Sequence, residues 1–443
     1  MCCRGGSMLN DYKVGKLMDQ QLLKELREKF SFLSFDPDYG ERLFFDNSGG
    51  SLRLKEAIKV KEKIDLLPDC PERYHQRATD LNDMMDKCKN DVLSVMFGAE
   101  SGSLITDLTA SQAMFKMVST IIENVEGTNA VTTNIEHPSA YDSLEFYCQK
   151  NNKEFRVAKA NVNTGFVDPE AIADKIDENT ILLSVIASSN ISGNIMDLEG
   201  MIKAARKKKP DLYIIVDAVQ HMPHGTLHVE KLGIDGANFA PYKFMASRGI
   251  GFAYVSDRLS KLPHQKLIAK DDREWELGSP TPSLFASMSA VIDYVCWLGS
   301  YDSIGEMSRR EKYLKGMKKI VLHERALLHR LLEGSDQIEG LRYMKNVKVF
   351  ADDPDLTKRD LIVAMGIQGI DDEQLRKDYQ DRGITVYERV NTSVYSKRIL
   401  EAIGLTGAIR VSPFHCHTEE DIDQFLFVTK ELSETKRMSK LIN

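Results

Sequence analysis

From Ser103 to about Tyr254, short apolar runs alternate with stretches whose apolar residues recur at helical spacing. The runs are NAVTTNI (129–135), EFRVAKA (154–160), ILLSVIAS (181–188), LYIIVDAV (212–219), ANFAPY (237–242) and GFAYV (251–255). Helices are predicted to start at Thr109, Asp168 and Leu198. The first of them presents Met114, Val118, Ile121, Ile122 and Val125 at i, i+4, i+7, i+8 and i+11, an apolar stripe made to face a core. Strands alternating with helices predict an α/β layer with a mainly parallel sheet.

The flanks have their own patterns. In MDQQLLKELREKFSFL, Leu22, Leu23, Leu26, Phe30 and Leu33 recur at helical spacing. ERLFFDNSGGSLRLKEAI reads as a short apolar strand, an Asn-Ser-Gly-Gly turn and a helix. Residues 72–97 are polar and helical in pattern, ending in the apolar VLSVMF. Residues 307–334 read as one long amphipathic helix with basic residues on its solvated face. Residues 341–434 then carry strand–helix–strand–helix patterns (KVFAD, DLIVAMGI, DEQLRKDYQDRG, ITVYERV, AIRVSPF, EEDIDQFLFVTKEL), which predict a smaller α/β unit. The division expected is an N-terminal helix and segment over 1–60 packing on the small domain, a large domain over 61–305, and a linker helix with a small C-terminal domain over 306–443. No internal repeat or low-complexity tract interrupts it.

Composition narrows the class. The 443 residues are 42% hydrophobic and 28% charged, ordinary for a globular chain, which excludes a disordered, collagen-like or disulfide-dense protein. With 59 basic and 66 acidic residues the formal charge is −7, so no bulk electrostatic case exists for nucleic acid. No apolar run approaches the roughly 18 residues of a membrane span. Seven cysteines, an odd number without paired spacing, fit reduced thiols, and the opening MCCRGGSMLNDYK lacks a signal-type apolar stretch. The expected location is the cytoplasm, with no nucleic-acid or membrane partner.

The usual nucleotide fingerprints, GxxxxGK[ST] and GxGxxG, are absent. Two histidine clusters invite a metal reading and fail it. His221, His224 and His228 in HMPHGTLH would share a helix face, but Pro223 and Gly225 oppose that helix. In FHCHT, His415 and His417 would lie on one side of a strand and Cys416 on the other, a poor chelate. No metal site is expected. More informative is the stretch from Tyr213 to Val255. Asp217 ends a buried apolar strand, where α/β folds place ligands, and Lys243 follows another short strand 26 residues later. Apolar neighbours (Pro241, Phe244, Met245) lower an ammonium pKa and free the amine as a nucleophile. Pyridoxal phosphate uses such a pair: a lysine for its Schiff base and an acid to keep the pyridine nitrogen protonated. Taken alone, the two residues are better described as a turn-capping Asp and a snorkelling Lys.

Their neighbours add a family resemblance. Residues 44–430 resemble the class V aminotransferase family of pyridoxal-phosphate enzymes, most closely its cysteine desulfurase-like branch. The family's Val-Asp-x-x-Gln is present as VDAVQH, which implies Asp217 on the pyridine nitrogen and Gln220 donating to the cofactor's phenolic oxygen. APYKF resembles the lysine motif and makes Lys243 the Schiff-base residue. IEHPSA resembles the segment whose histidine, here His137, stacks on the cofactor ring and serves in proton transfer. SSNISG places Asn190 near the cofactor oxygen and the substrate carboxylate. LTASQA resembles the phosphate-cradling turn at a helix N-terminus, implicating Thr109 and Ala110. ELGSPTP resembles the loop that reaches the partner subunit's phosphate, implicating Ser279 and a homodimer. AIRVSPFHCHTEEDID resembles the family's Arg-x-Ser end, so Arg410 is expected to grip the α-carboxylate of an amino-acid substrate. The fold implied is that of fold-type-I pyridoxal-phosphate transferases, α/β with a large mainly parallel-sheet domain and a smaller α/β C-terminal domain.

The departures shape the functional expectation. Desulfurases usually carry Ser-x-His-Lys, with Ser and His on the phosphate; here those positions are Ala240 and Tyr242, whose hydroxyl either donates to the phosphate or packs. Arg248, beyond the lysine, either adds phosphate charge or lies on the surface. A desulfurase's persulfide cysteine belongs to a loop before the carboxylate arginine, where this chain reads RVNTSVYSKR, with Tyr395 near the expected position. The expectation is a cysteine-independent lyase that cleaves a C–S or similar bond of an α-amino acid. A class V aminotransferase and an amino-acid epimerase use the same core and remain open, as does a non-catalytic pyridoxal-phosphate-binding protein.

Overall fold

The apolar runs become strands because each alternates two buried faces. In LYIIVDAV, Ile214 and Val216 pack into one apolar core and Ile215 into another. The computed structural model describes residues 12–68 and 70–435; Cys2 and Cys3 lie outside them. Seven strands form the large sheet: β1 (Ser103–Asp107), β2 (Asn129–Thr133), β3 (Glu154–Ala158), β4 (Thr180–Ile186), β5 (Tyr213–Asp217), β6 (Gly236–Phe239) and β7 (Gly251–Val255). Their order is β1-β7-β6-β5-β4-β2-β3. The five from β6 to β3 run parallel, whereas β7 runs antiparallel to both β6 and β1. The site-bearing segments after β1, β2, β4, β5 and β6 therefore leave one edge of the sheet.

Helices cover both faces. Ala110–Asn124 and Pro138–Lys150 contribute Met114, Val118, Ile121, Ile122, Ala140 and Leu144 to one core; Leu198–Lys208 and Pro282–Ser300 contribute to the other. The predicted starts hold: Thr109 and Asp168 are N-cap residues, and Leu198 is the first residue of its helix. Among the described residues, the helix long and apolar enough to cross a membrane is Pro282–Ser300, which is mostly buried inside the molecule. The polar stretch ahead of the sheet forms Gln76–Asn90 and ends in a π-helical turn, Asp91–Met96.

Arg309–Glu333, closed at its start by a Ser308/Glu311 capping box, leads to a four-stranded antiparallel sheet. Its strands are β8 (Val347–Phe350), β9 (Val363–Ile367), β10 (Tyr387–Val390) and β11 (Gly407–Val411), in the order β8-β9-β11-β10. Glu419–Glu434 packs on it through Ile422, Phe425 and Leu426. The N-terminal segment touches both units: Leu26 and Phe30 join the large core, while Leu43–Phe44 pairs in parallel with Ile384–Thr385.

The histidine clusters take other forms than a chelate. HMPHGTLH is a run of turns, as Pro223 and Gly225 require. His415 is not on a strand, contrary to the alternation inferred for FHCHT: the β11 ladder stops before Pro413, which has no N–H to donate, and the chain turns. His415 Nε2 meets the Tyr294 hydroxyl at 2.9 Å, and its Nδ1 lies 3.8 Å from Glu324, whose other oxygen bonds His224 Nδ1 at 2.8 Å. These histidines tie elements together in the interior.

Candidate active site

Strand β5 ends at Asp217, which is 2% exposed, and β6 is followed by the 3₁₀ turn Pro241–Lys243. The two strands pair in register, with Asp217 opposite Asn238, so both segments reach the same place. Asp217 accepts one hydrogen bond from the Val219 amide at 3.1 Å; burial raises its pKa, an effect opposed by that bond and by Lys243. Lys243 Nζ donates to Gln220 Oε1 at 3.2 Å. Burial, reinforced by the nearby Arg410, pushes the lysine down to about 7. A cavity of about 190 Å³ opens here, and its walls include Thr109, Ala110, His137, Asn190, Tyr242 and Arg248 besides these three residues.

At one end of the cavity stands the N-terminus of Ala110–Asn124. Thr109 caps it by accepting from the Gln112 amide at 3.1 Å, so the first amides of the helix have no intrahelical partner. Asn238 holds the turn by donating to the Ala110 carbonyl at 3.0 Å. Gly251, the first residue of β7, lies directly behind it: a Cβ there would fall 2.1 Å from the Ala110 nitrogen. Gly251→Ala is therefore expected to displace the helix start and weaken phosphate binding, raising the cofactor Kd by about ten-fold or more, the worth of one charge-assisted hydrogen bond. Fluorescence titration of the cofactor-free protein checks this; an unchanged Kd would remove the helix start from the phosphate site. Tyr242 carries the Arg248 guanidinium 3.9 Å above its ring, which puts a cation at this same end.

His137 caps Pro138–Lys150 and accepts from the Ser139 amide at 3.2 Å. Burial first, then the positive fields of Lys243, Arg389 and Arg398, push its pKa down to about 3, so the imidazole is neutral. Tyr395 stacks on it, with centroids 6.3 Å apart. Asn190 is buried and its Oδ1 has no partner. Its backbone carbonyl accepts from Arg410 Nη1 at 3.1 Å, while Arg410 Nη2 pairs with Asp46 Oδ1 at 2.7 Å. Gly49 makes this approach possible, because a Cβ there would stand 2.8 Å from Asp46 Oδ2.

The structure thus brings together ten of the eleven candidate cofactor and substrate residues read from the sequence: nine, Arg248 among them, line the cavity, and Arg410 is tied to its wall through Asn190. Ser279 is apart from them, exposed and hydrogen-bonded to Glu72. Three charged residues were not anticipated. Asp46 pairs with Arg410. Arg389 is buried near Lys243 and His137. Glu136, whose side chain accepts from Thr133 Oγ1 at 2.5 Å, is pushed up to about 8, chiefly by burial. The hint for Asp46 was its place just before the Asn-Ser-Gly-Gly turn; buried Arg and Glu have no comparable pattern.

This set fits pyridoxal phosphate on structural grounds. Asp217 suits a protonated ring nitrogen, and a helix start with Arg248 suits a phosphate. The family model for class-V aminotransferases matches residues 43–425. A probable cysteine desulfurase of Borreliella burgdorferi is 23% identical over 431 residues, covering 93% of this chain and 97% of the relative. The cysteine desulfurase IscS of Dictyoglomus turgidum is 26% identical over 205 residues, 45% of this chain and 50% of the relative. Among solved structures, a cysteine desulfurase from Thermococcus onnurineus superposes with a TM-score of 0.78 at 20% identity, over 95% of this chain and 99% of that one. CsdA from Escherichia coli gives 0.75 at 15% identity, over 94% and 98%. At such identities the structural likeness concerns the fold.

Proposed function

The chain belongs to the class-V aminotransferase family of pyridoxal-phosphate-dependent enzymes, and from that premise we propose that it is a lyase that breaks a C–S or similar β-bond of an α-amino acid without a cysteine relay. One observation carries the reading: among the described residues no cysteine lines the cavity. Cys88, Cys148, Cys296 and Cys416 are buried elsewhere, and burial pushes all four thiols up, Cys88 and Cys148 to about 12 and Cys296 to about 11. Cys70 sits beside Glu72 on a loop outside the cavity. The segment that would present a sulfur acceptor instead presents Tyr395, stacked on His137.

When bound, the cofactor draws electrons from the substrate α-carbon. The protein's part follows from the geometry. Lys243 would carry the cofactor, exchange it for the substrate amine, and then take the α-proton on Nζ; an amine with a pKa of about 7 is half free at neutral pH. Asp217 would hold the ring nitrogen, Gln220 the phenolic oxygen, Thr109, Ala110 and Tyr242 the phosphate end, and Asn190 with Arg410 the carboxylate. His137 packs as a neutral ring. With the α-proton on Lys243, the β-bond breaks and its electron pair leaves on sulfur; hydrolysis of the remaining unsaturated amine gives pyruvate and ammonia. A homodimer, with Ser279 reaching the partner's phosphate end, completes the proposal.

The test follows products from the purified holoenzyme supplied with L-cysteine, L-cysteine sulfinate and L-alanine. Pyruvate, ammonia and sulfide from L-cysteine are expected. L-alanine as the product would mean desulfuration, and accumulation of the pyridoxamine form without either would mean transamination; each of these outcomes overturns the lyase.

A further inference from the structure

Two arginines on one face of the small sheet lie close enough to Lys243 to act on its charge, and only one has been given a role. In the β10–β11 register, Tyr387 stands opposite Arg410 and Arg389 opposite Ala408. Arg389 and Arg410 are therefore diagonal neighbours, about 7–8 Å apart at the backbone. The Tyr387 ring lies between them, 5.8 Å from the Arg389 guanidinium carbon and 5.9 Å from that of Arg410. Both side chains are more than nine-tenths buried, at 8% and 3% exposure, and both keep an Nε–H without a partner.

Their charges do not balance. Nη2 of Arg389 donates to the Tyr395 carbonyl at 3.0 Å, which uses one of five donors and offsets no charge. Asp46 is engaged by Arg410. When Lys243 holds a proton, three cations meet in this end of the cavity. Among the described residues that act on Lys243, the carboxylates are Asp217, which belongs to the cofactor's ring nitrogen, and Asp46. Arg389 is left without a carboxylate partner, and a buried unpaired guanidinium is a strongly unfavourable arrangement unless an anion is meant to join it.

Resting on the reading of this cavity as an amino-acid site, we propose that Arg389 is a second anion ligand, so that the preferred substrate is an α-amino acid with a second anionic group on a short side chain. Arg410 takes the α-carboxylate and Arg389 the side-chain anion. The spacing of the two arginines and the small cavity limit the substrate to a few carbons between the two anions.

The experiment measures binding of inert acids to the holoenzyme by calorimetry, comparing succinate with butyrate, which has the same number of carbons and one carboxylate. Succinate is expected to bind about ten-fold tighter or more, the scale of one hydrogen-bonded ion pair. Arg389→Leu should collapse the ratio toward one by weakening succinate alone, Arg389→Lys should restore part of it, and Arg410→Ala should weaken both acids. Equal binding of the two acids to the unaltered enzyme would overturn the proposal, as would an Arg389→Leu protein that loses both acids in parallel. If the leucine variant fails to fold, the unaltered enzyme and the lysine variant still decide. These acids have no amine and undergo no reaction, so the outcome is separate from the lyase test. A succinate preference without pyruvate formation would leave Arg389 in place and remove the lyase, and the converse result would do the opposite.

Discussion

Lys243→Ala is expected to lower turnover by about 10⁴-fold or more, to abolish the absorbance band of the covalently held cofactor, and to leave a folded protein. The loss is large because one amine serves twice, as the carrier of the cofactor and as the base at the α-carbon. The fold survives because Nζ makes a single hydrogen bond, to Gln220, beside a cavity that accommodates the truncation. The cofactor-free protein offers a second readout. Lys243 titrates at about 7 in the folded chain, against an ordinary lysine value near 10.4 once unfolded. Between those values the unfolded state binds the extra proton, so this lysine makes stability rise with pH from about 7 to about 10. Denaturation of the cofactor-free protein at pH 6.5 and 9 should show that rise, and Lys243→Ala should lack it. A variant that keeps its turnover would remove the lysine from the chemistry; identical pH slopes would mean that its amine is not buried as the structure has it.

Both Lys243 and Asp217 were legible in the sequence for a reason of packing. A carboxylate at the end of IIV and a lysine between Pro-Tyr and Phe-Met interrupt apolar surroundings, and an interruption of that kind stands out. The parallel layer was legible too, since each strand buried on both faces reads as a near-continuous apolar run. Pro282–Ser300 escaped the same reading through the converse effect. Ser283 and Ser287 are as buried as Phe285 and Val291, so these polar residues mark no solvent-facing side to reveal a helical period. Pro138–Lys150 was missed because its helix begins at a proline directly after His137, and only a folded cap shows that the proline opens a helix there.

What decides the substrate was hidden for a different reason. Arg389 sits in ITVYERV, where its charge reads as a solvent-facing position of an alternating strand. The register with β11 turns that face toward Lys243, and register is set by pairing between segments about twenty residues apart. Asp46, just before a turn, has its partner in Arg410, 364 residues away. Charges that face one another across elements distant in sequence leave no local trace.

Asp217→Ala is the other substitution with a large expected effect, about 10²–10³-fold in turnover, the scale of removing one preorganised charge from a transition state. Asp217 is buried at the end of β5 and accepts one bond, from the Val219 amide, so a lone pair is left for a ring nitrogen. A buried carboxylate whose pKa is already raised gains most from a cation placed against it, and a protonated pyridine nitrogen is such a cation. Alanine removes that partner and leaves the nitrogen in an apolar strand end, where it would stay neutral and take up less electron density. Reconstituting Asp217→Ala with a cofactor methylated on the ring nitrogen separates this account from a general loss of structure. The methyl group fits the space vacated by the carboxylate and carries a permanent positive charge, so it should recover roughly ten-fold or more of the lost turnover, part of that electrostatic contribution. A variant equally inactive with both cofactors would mean that Asp217 orients the ring without holding its charge, and an unimpaired variant would remove it from the site altogether.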